Sequence, residues 1–337
     1  MICLEKLLKG KKTFIRRNCQ QSFFGLRAGG GNALNGRTVE TPSSISLFAP
    51  AKINLMLAVT GTRPDGFHAL VSLVAPISLG DTLEAADAAA DSLACDAPGV
   101  PTDSSNLVLR ATELFRARVP ACAPVAWRLE KRVPHGAGLG GGSSDAAAAL
   151  RLLNARCGNA LAEPELREIA ARLGSDVPLF LSGVPVVMRG RGERVEALPP
   201  AAAANLRGRR FLLFKPAFGV STAEAYGAMK RNAPRDYVSE AEAEARLRAW
   251  TDAPESAPLP LFNNMERAVF RKHLALPALF EILRERCGLE AHMSGSGSAC
   301  FAEISDATDV PAAARVVREC WGETAFVREI SLRTRAD

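Results

Sequence analysis

The chain has 337 residues, 47% of them apolar and 23% charged, the balance of a globular protein large enough for two domains. Its net charge is +6, but residues 1–44 hold eight basic and two acidic side chains, so the neutral remainder predicts no nucleic-acid-binding face. No apolar run approaches the ~18 residues of a membrane span, and eight cysteines without a C-x-x-C pair argue against a zinc site or disulfide framework and for reduced thiols inside a cell.

Residues 1–44 stand apart. GLRAGGGNALNGRT lacks the apolar content to pack, and no apolar h-region marks a secretory signal. Two readings stay open: a disordered extension of a cytoplasmic protein, or a basic, acid-poor presequence that would place the mature chain in a plastid stroma. The fold is expected over 45–337.

SLFAPAKINLMLAVTG (46–61) reads as strands around a turn at Pro50. TRPDGFHAL follows as a Pro-Asp-Gly loop, and LVSLVAPISLGDTLEAAD alternates like a strand. The segment 81–103 is polar and alanine-rich, with Pro98-Gly99 marking a loop. Leu107, Leu109, Ala111, Leu114 and Phe115 recur at helical spacing behind Ser104-Ser105, a plausible cap. VAWRLEKRV (125–133) alternates like a half-buried strand ending at Pro134.

PHGAGLGGGSSDAAAAL then places five glycines between Gly136 and Gly142, directly before an alanine run. Ser143, Ser144 and Asp145 suit a helix cap and first turn, and the helix should close near Gly158. EPELREIAARLG is a second helix, and Ser175 or Asp176 is placed to cap a third in SDVPLFL. Pro199-Pro200 marks the expected boundary between domains at 45–200 and 201–337. Beyond it RRFLLFKP is a strand, and 232–260 reads as a variable helix-and-loop insertion. A helix (LPALFEILRERCG), a strand–loop–strand (HMSGSGSACFAEI), a helix and a closing strand complete the chain. Strands and helices alternate without βαβ periodicity, so the fold class is α+β.

Clustered glycines turn backbone N–H groups inward, and a helix N-terminus behind them adds unpaired donors and partial positive charge. Together they suit a phosphate. A Walker A loop is excluded because no lysine is present. Gly136, Gly138 and Gly141 fit G-x-G-x-x-G, which keeps a dinucleotide-binding oxidoreductase as an alternative from another class. However, the acidic residue at the required distance, Glu163, opens a helix instead of ending a strand.

Three blocks in order, PAKINLMLAVTGTRPDGFH, PHGAGLGGGSSDAAAAL and MSGSGSACFAE, resemble the GHMP kinases from about residue 45 to the C-terminus. The form of the first block is similar to the branch acting on a sugar alcohol that bears a cytidine diphosphate. The resemblance implies an N-terminal domain like domain 2 of ribosomal protein S5, a ferredoxin-like C-terminal domain, and an active site between them. It implies transfer of the γ-phosphate of ATP to the 2-hydroxyl of a diphosphocytidyl methylerythritol in isoprenoid biosynthesis. A GHMP kinase for a smaller alcohol, of homoserine or mevalonate type, is the nearer alternative.

The resemblance further implies Lys52 and Asp176 as catalytic residues. On spacing alone, Asp176 serves equally well as an N-cap and Lys52 as an edge-strand lysine reaching water. The loop of Pro134, His135, Gly136, Ala137, Gly138, Leu139, Gly140, Gly141, Gly142, Ser143 and Ser144 would wrap ATP. Mg²⁺ would arrive with ATP near Ser143 or Ser144, with no metal site from protein alone, and Asp145 would assist it or cap the helix. Asn54 shares a strand face with Lys52. Phe67 would stack on cytosine and His68 bond its edge, with Thr222 and Tyr226 opposite; core packing is the competing role for each aromatic. The Ser294–Ala299 loop would close the cleft.

Overall fold

The computed structural model describes residues 44–334, so the extension expected over 1–44 lies outside it except for Ser44. Strands β1 (Ile45–Thr62) and β2 (His68–Asp87) form a long antiparallel hairpin, followed by β3 (Ser92–Cys95), α1 (Leu107–Arg118) and β4 (Val125–Glu130). Helices α2 (Gly141–Arg156), α3 (Glu163–Leu173) and α4 (Val177–Ser182) come next, then β5 (Val186–Gly190) and β6 (Arg194–Ala197). After α5 (Pro200–Asn205) come β7 (Arg210–Lys215), α6 (Thr222–Arg231), α7 (Glu240–Thr251), β8 (Phe262–Asn263) and α8 (Glu266–Phe270). The chain ends with α9 (Ala275–Cys287), β9 (Ala291–Met293), β10 (Cys300–Ile304), α10 (Val310–Trp321) and β11 (Phe326–Ser331).

The first sheet runs β3-β4-β2-β1-β8, with β5 joined to β2 and β6 to β5; the second runs β11-β7-β10-β9. All neighbours in the second sheet are antiparallel, and its strand order is that of a ferredoxin-like unit. One face of the first sheet packs against α1 to α4 through Leu83, Ala85, Trp127, Leu150 and Ile169. Its other face meets the second sheet, where Ile53 and Leu55 share a core with Phe211, Leu213, Phe301 and Ile330. Leu212, Phe214 and Ala302 point the opposite way, into a core with Leu279, Leu283 and Val317 of α9 and α10. The period of two in FLLF thus sets both faces of the second sheet. The fold is α+β and mostly antiparallel, not the doubly wound parallel sheet of a dinucleotide-binding oxidoreductase, and that alternative is set aside.

Several local expectations are corrected. Pro50 makes no turn: β1 passes through it, and the register slips from Pro50–Gly80 to Lys52–Pro76, a bulge that absorbs the irregularity. The strand-like alternation through Asp87 is β2, but the polar, alanine-rich stretch beyond it also holds a strand, β3, which pairs with β4. Pairing buries Leu83, Ala85 and Leu93 despite the polar composition around them. Asn106, not Ser104-Ser105, caps α1 by accepting the Val108 N–H at 2.9 Å. β4 stops at Glu130, where buried Asp81 accepts the N–H groups of Arg132 (2.6 Å) and Val133 (2.9 Å) and turns the chain toward the glycine loop.

The part of 232–260 read as a variable insertion contributes to the core. Trp250 of α7 is buried among β1 and β2 residues. Just beyond, β8 pairs with Met56 and Leu57, and buried Asn264 completes the connection. Its Oδ1 accepts from Val59 N, while its Nδ2 donates to Val59 O and Asp236 O, each at 2.8 Å. Replacing Asn264 by Ala leaves those backbone groups without this partner. Asn264→Ala is expected to lower unfolding free energy by about 2–4 kcal/mol in urea titration; an unchanged midpoint would show that water takes over all three bonds.

Candidate active site

The site forms where the three sequence blocks meet. Register slips at Pro50/Lys52 and Asn54/Met56 flank a short stretch of β1 in which Ile53 and Leu55 face the second sheet and Lys52 and Asn54 point the other way, Lys52 toward Gly140. Lys52 is buried there, 5% exposed, and its ammonium donates to Asn54 Oδ1 at 2.6 Å. Asp176 Oδ2 lies 3.9 Å from the same Nζ. Burial lowers the Lys52 pKa, and Asp176 opposes that shift. Asn54 is held in turn: its Nδ2 donates to Ser72 Oγ at 2.9 Å, and Ser72 Oγ donates to Met56 O at 2.6 Å.

Asp176 occupies the N-cap position of α4 but makes no side-chain capping bond. Its carboxylate is 40% exposed and faces the cleft, so capping is not its job here. The structure brings Lys52, Asn54 and Asp176 together as the sequence expectation required.

The glycine loop approaches from the other side. Lys52 N donates to Leu139 O at 2.9 Å, so strand and loop are joined through backbone. Gly140, in the left-handed region at φ +70°, is the N-cap of α2, and the helix begins at Gly141 without a side-chain cap. Ser143, Ser144 and Asp145 therefore lie inside the helix and do not cap it. Leading-turn N–H groups are thereby left to an anion.

The two serines diverge. Ser143 lines the loop cleft with Pro134, His135, Gly136, Ala137, Gly138, Leu139, Gly140, Gly141 and Gly142, whereas buried Ser144 faces a separate small pocket beside Phe48 and Phe180. Asp145 also lines the loop cleft. One of its oxygens accepts from Lys131 Nζ at 2.9 Å, while Oδ1 has no partner among the described residues. Lys131 bridges to Asp81 as well. Burial pushes the Asp145 pKa up against the pull of the Lys131 ammonium.

The Ser294–Ala299 loop completes the wall. Ser294 Oγ accepts Asn54 N–H at 3.2 Å and donates to Gly138 O at 3.3 Å, and Ala299 N donates to Ala137 O at 3.1 Å. A Cβ on Gly138 (φ +76°) would lie 2.4 Å from Ser294 O, so the two loops touch only because that residue is glycine.

Two clefts meet here. One, about 320 Å³, runs along the glycine loop and is closed on its far side by Val100, Pro101 and Ser105 to Leu107. The other, about 780 Å³, holds Lys52, Asn54, Ser72 and Asp176 at one end and Phe67, His68, Thr222 and Tyr226 among its walls. Gly138 and Gly140 line both.

Within the larger cleft, His68 packs its ring on Tyr226 at 4.5 Å between centroids, and its Nε2 is 3.1 Å from Tyr237 Oη. The ring Tyr226 meets is thus that of His68. Burial, with Lys230 nearby, lowers the His68 pKa and favours a neutral imidazole. Burial and then Asp176 push the Tyr226 hydroxyl up to about 12, keeping it protonated. Phe67 is 51% exposed at the mouth, and Thr222 Oγ1 lies 2.7 Å from Ser296 Oγ. Sequence reasoning missed Ser72, Tyr237, Lys131 and the far wall at 100–107. Ser72 carried a signal, a hydroxyl inside the apolar run from Leu70 to Ala75, but Tyr237 comes from a segment whose path no local pattern fixes.

Comparison with known proteins agrees with this geometry. The profile of the GHMP kinases N terminal domain matches residues 106–184, and that of the GHMP kinases C terminal domain matches 242–323. A 4-diphosphocytidyl-2-C-methyl-D-erythritol kinase of Pelotomaculum thermopropionicum is 42% identical over 266 residues, 78% of this chain and 90% of the relative. The chain belongs to the GHMP kinase family. The enzyme of that name from Protochlamydia amoebophila is 38% identical across 77% of this chain and 84% of its own. A crystal structure of a 4-(cytidine 5'-diphospho)-2C-methyl-D-erythritol kinase superposes with TM-score 0.67 at 36% identity, covering 85% of this chain and 99% of that one. Homoserine kinase from Cytophaga hutchinsonii superposes with TM-score 0.66 at 18% identity over 90% and 99% of the two chains, a likeness of fold alone.

The loop contact yields a paired prediction for this GHMP kinase. Gly138→Ala forces a left-handed alanine into Ser294 and is expected to cost roughly 2 kcal/mol or more of stability. At Gly142 a Cβ meets nothing within 4 Å, so Gly142→Ala should leave the melting temperature nearly unchanged. Equal melting temperatures for both variants would show that the loops do not need to touch.

Proposed function

We infer that this chain phosphorylates the 2-hydroxyl of 4-diphosphocytidyl-2-C-methyl-D-erythritol with ATP, giving the 2-phosphate and ADP in the non-mevalonate route to isoprenoids. Relatives 35–42% identical over most of the chain carry that kinase name. The observation that carries the reading is the junction itself: a loop cleft and an aromatic-walled cleft share Gly138 and Gly140, with the Lys52–Asp176 pair beside the shared wall.

In this reading ATP lies in the loop cleft, its base side toward Val100 to Leu107 and its phosphates on the backbone from Gly136 to Ser143. The leading end of α2 stabilises the phosphate charge. Mg²⁺ accompanying ATP would neutralise charge on the β and γ oxygens. Ser143 and the unpartnered Asp145 Oδ1 are the side-chain oxygens that fit it, whereas Ser144 is turned away.

The substrate fills the larger cleft, with cytosine between the rings at the mouth and the erythritol hydroxyl at Lys52 and Asp176. Phe67 offers a face for stacking, and neutral His68 can donate and accept at the base edge. The 2-oxygen attacks the γ-phosphorus in line, the bond from that phosphorus to the β–γ bridging oxygen breaks, and Asp176 takes the hydroxyl proton. The Lys52 ammonium pairs with Asp176 and polarises the accepting oxygen. Reduced thiols, such as the six free cysteines among the described residues, suit a reducing compartment such as the cytoplasm.

A substrate as small as homoserine or mevalonate would leave the Phe67–His68–Tyr226 wall without a contact. A coupled ADP-release assay with all three alcohols tests this: turnover is expected with the cytidyl substrate, and turnover of mevalonate alone would reject the reading. In the same assay Asp176→Asn should lower kcat by about 10²–10⁴-fold with ATP affinity nearly intact, because Asp176 lines only the larger cleft. Full activity would remove Asp176 from the chemistry.

A further inference from the structure

We propose that Arg191 binds the diphosphate of the cytidine-bearing substrate at the mouth of the larger cleft, a role that rests on the substrate reading above. The first argument is charge. A diphosphate diester brings about two negative charges at neutral pH, and the cationic side chains lining this cleft are Lys52 and Arg191. Lys52 is already engaged by Asn54 and Asp176 at the reacting end. The diphosphate joins the cytidine to the erythritol, so it must lie between the Phe67 and Asp176 ends of the cleft that Arg191 also lines.

The second argument is the state of the guanidinium. Arg191 is exposed, and its side chain makes no hydrogen bond or ion pair among the described residues. It lies over the ring of Phe67, whose centroid is 4.9 Å from the guanidinium carbon, with the Asp65 carboxylate as a longer-range electrostatic neighbour. A guanidinium over an aromatic face keeps its in-plane N–H donors directed outward, ready for a bidentate phosphate contact. The other arginine of the same strand–turn unit, Arg189, is committed to Glu244 and Glu196.

The third argument is anchoring. Arg191 sits between Gly190 (φ +70°) and Gly192 (φ +107°) in the tip joining β5 to β6. Its own N–H donates to Glu193 Oε2 at 2.6 Å, and the Glu193 carboxylate fills the space where a Cβ of Gly190 would lie. At Gly192 a Cβ would sit 3.7 Å from Ser175, the neighbour of Asp176. The tip is therefore fixed against the catalytic end while its one long side chain reaches over Phe67.

The test compares inhibition by CDP and by cytidine in the full-length enzyme, with cytidyl-substrate turnover as the readout. In wild type CDP should bind more tightly than cytidine. Arg191→Met should raise the KM for the cytidyl substrate and the Ki of CDP by about tenfold or more. The Ki of cytidine and the KM of ATP should stay within about twofold, with kcat nearly unchanged, the mark of lost ground-state binding. Arg191→Lys should recover part of the effect, and Phe67→Ala should weaken CDP and cytidine alike. If Arg191→Met also weakened both alike, Arg191 would only be propping the Phe67 ring, and the proposal would fail; it would fail equally if neither changed. Wild type that turns over no cytidyl substrate would instead reject the substrate reading.

Discussion

An ammonium group must stay charged where water is almost excluded. Lys52 is 5% exposed, and burial works against its proton. Desolvation of a single cation costs several kcal/mol unless partners replace the lost water. Here the replacements are Asn54 Oδ1 and Asp176, and much of the local architecture keeps those two in place. Lys52 and Asn54 share one face of β1 between two bulges, Ser72 fixes the Asn54 amide, and α4 delivers Asp176 with no side-chain capping bond.

The same constraint explains why both halves of the chain are needed. Ser294 reaches across from the second sheet to Asn54 N–H and to Gly138 O, so strand, phosphate loop and closing loop meet at one hydroxyl. Gly295 stands so close that a Cβ there would come within 3.5 Å of Asn54 Oδ1, Gly138 O and Lys52 Nζ. Glycine serves two purposes in this region: it lets loops pass at backbone distance, and at Gly140 it starts α2 without a side-chain cap. A second buried set, Asp81, Lys131 and Asp145, fixes the turn that feeds the glycine loop.

The larger cleft separates charge from neutrality along its length. Its inner end carries Lys52 and Asp176. Farther out, His68 and Tyr226 are both held neutral by burial, which suits the polar edge and flat face of a pyrimidine. Tyr237 Oη lies within hydrogen-bond distance of both His68 and Thr62, tying the segment after α6 to the Phe67 turn.

By itself the sequence determined the parts that local chemistry dictates. Clustered glycines ahead of an alanine helix mark an anion loop, the apolar run FLLF marks a strand, and three blocks in order mark the kinase family. Lys52 and Asp176 were legible through the family resemblance, since spacing alone suited an edge-strand lysine and an N-cap equally well, and Asn54 followed from sharing a strand face with Lys52. What tertiary structure alone decided depends on contacts between distant segments. Whether Pro50 turns the chain or rides in a bulge depends on its partner strand, and whether 92–95 is loop or strand depends on pairing with β4. Ser143 and Ser144 are identical neighbours in sequence, yet successive positions on a helix point about 100° apart, so one faces the loop cleft and the other the interior. Asp176 could have been a cap, and only the packing of α4 against the Lys52 strand turned its carboxylate to the cleft.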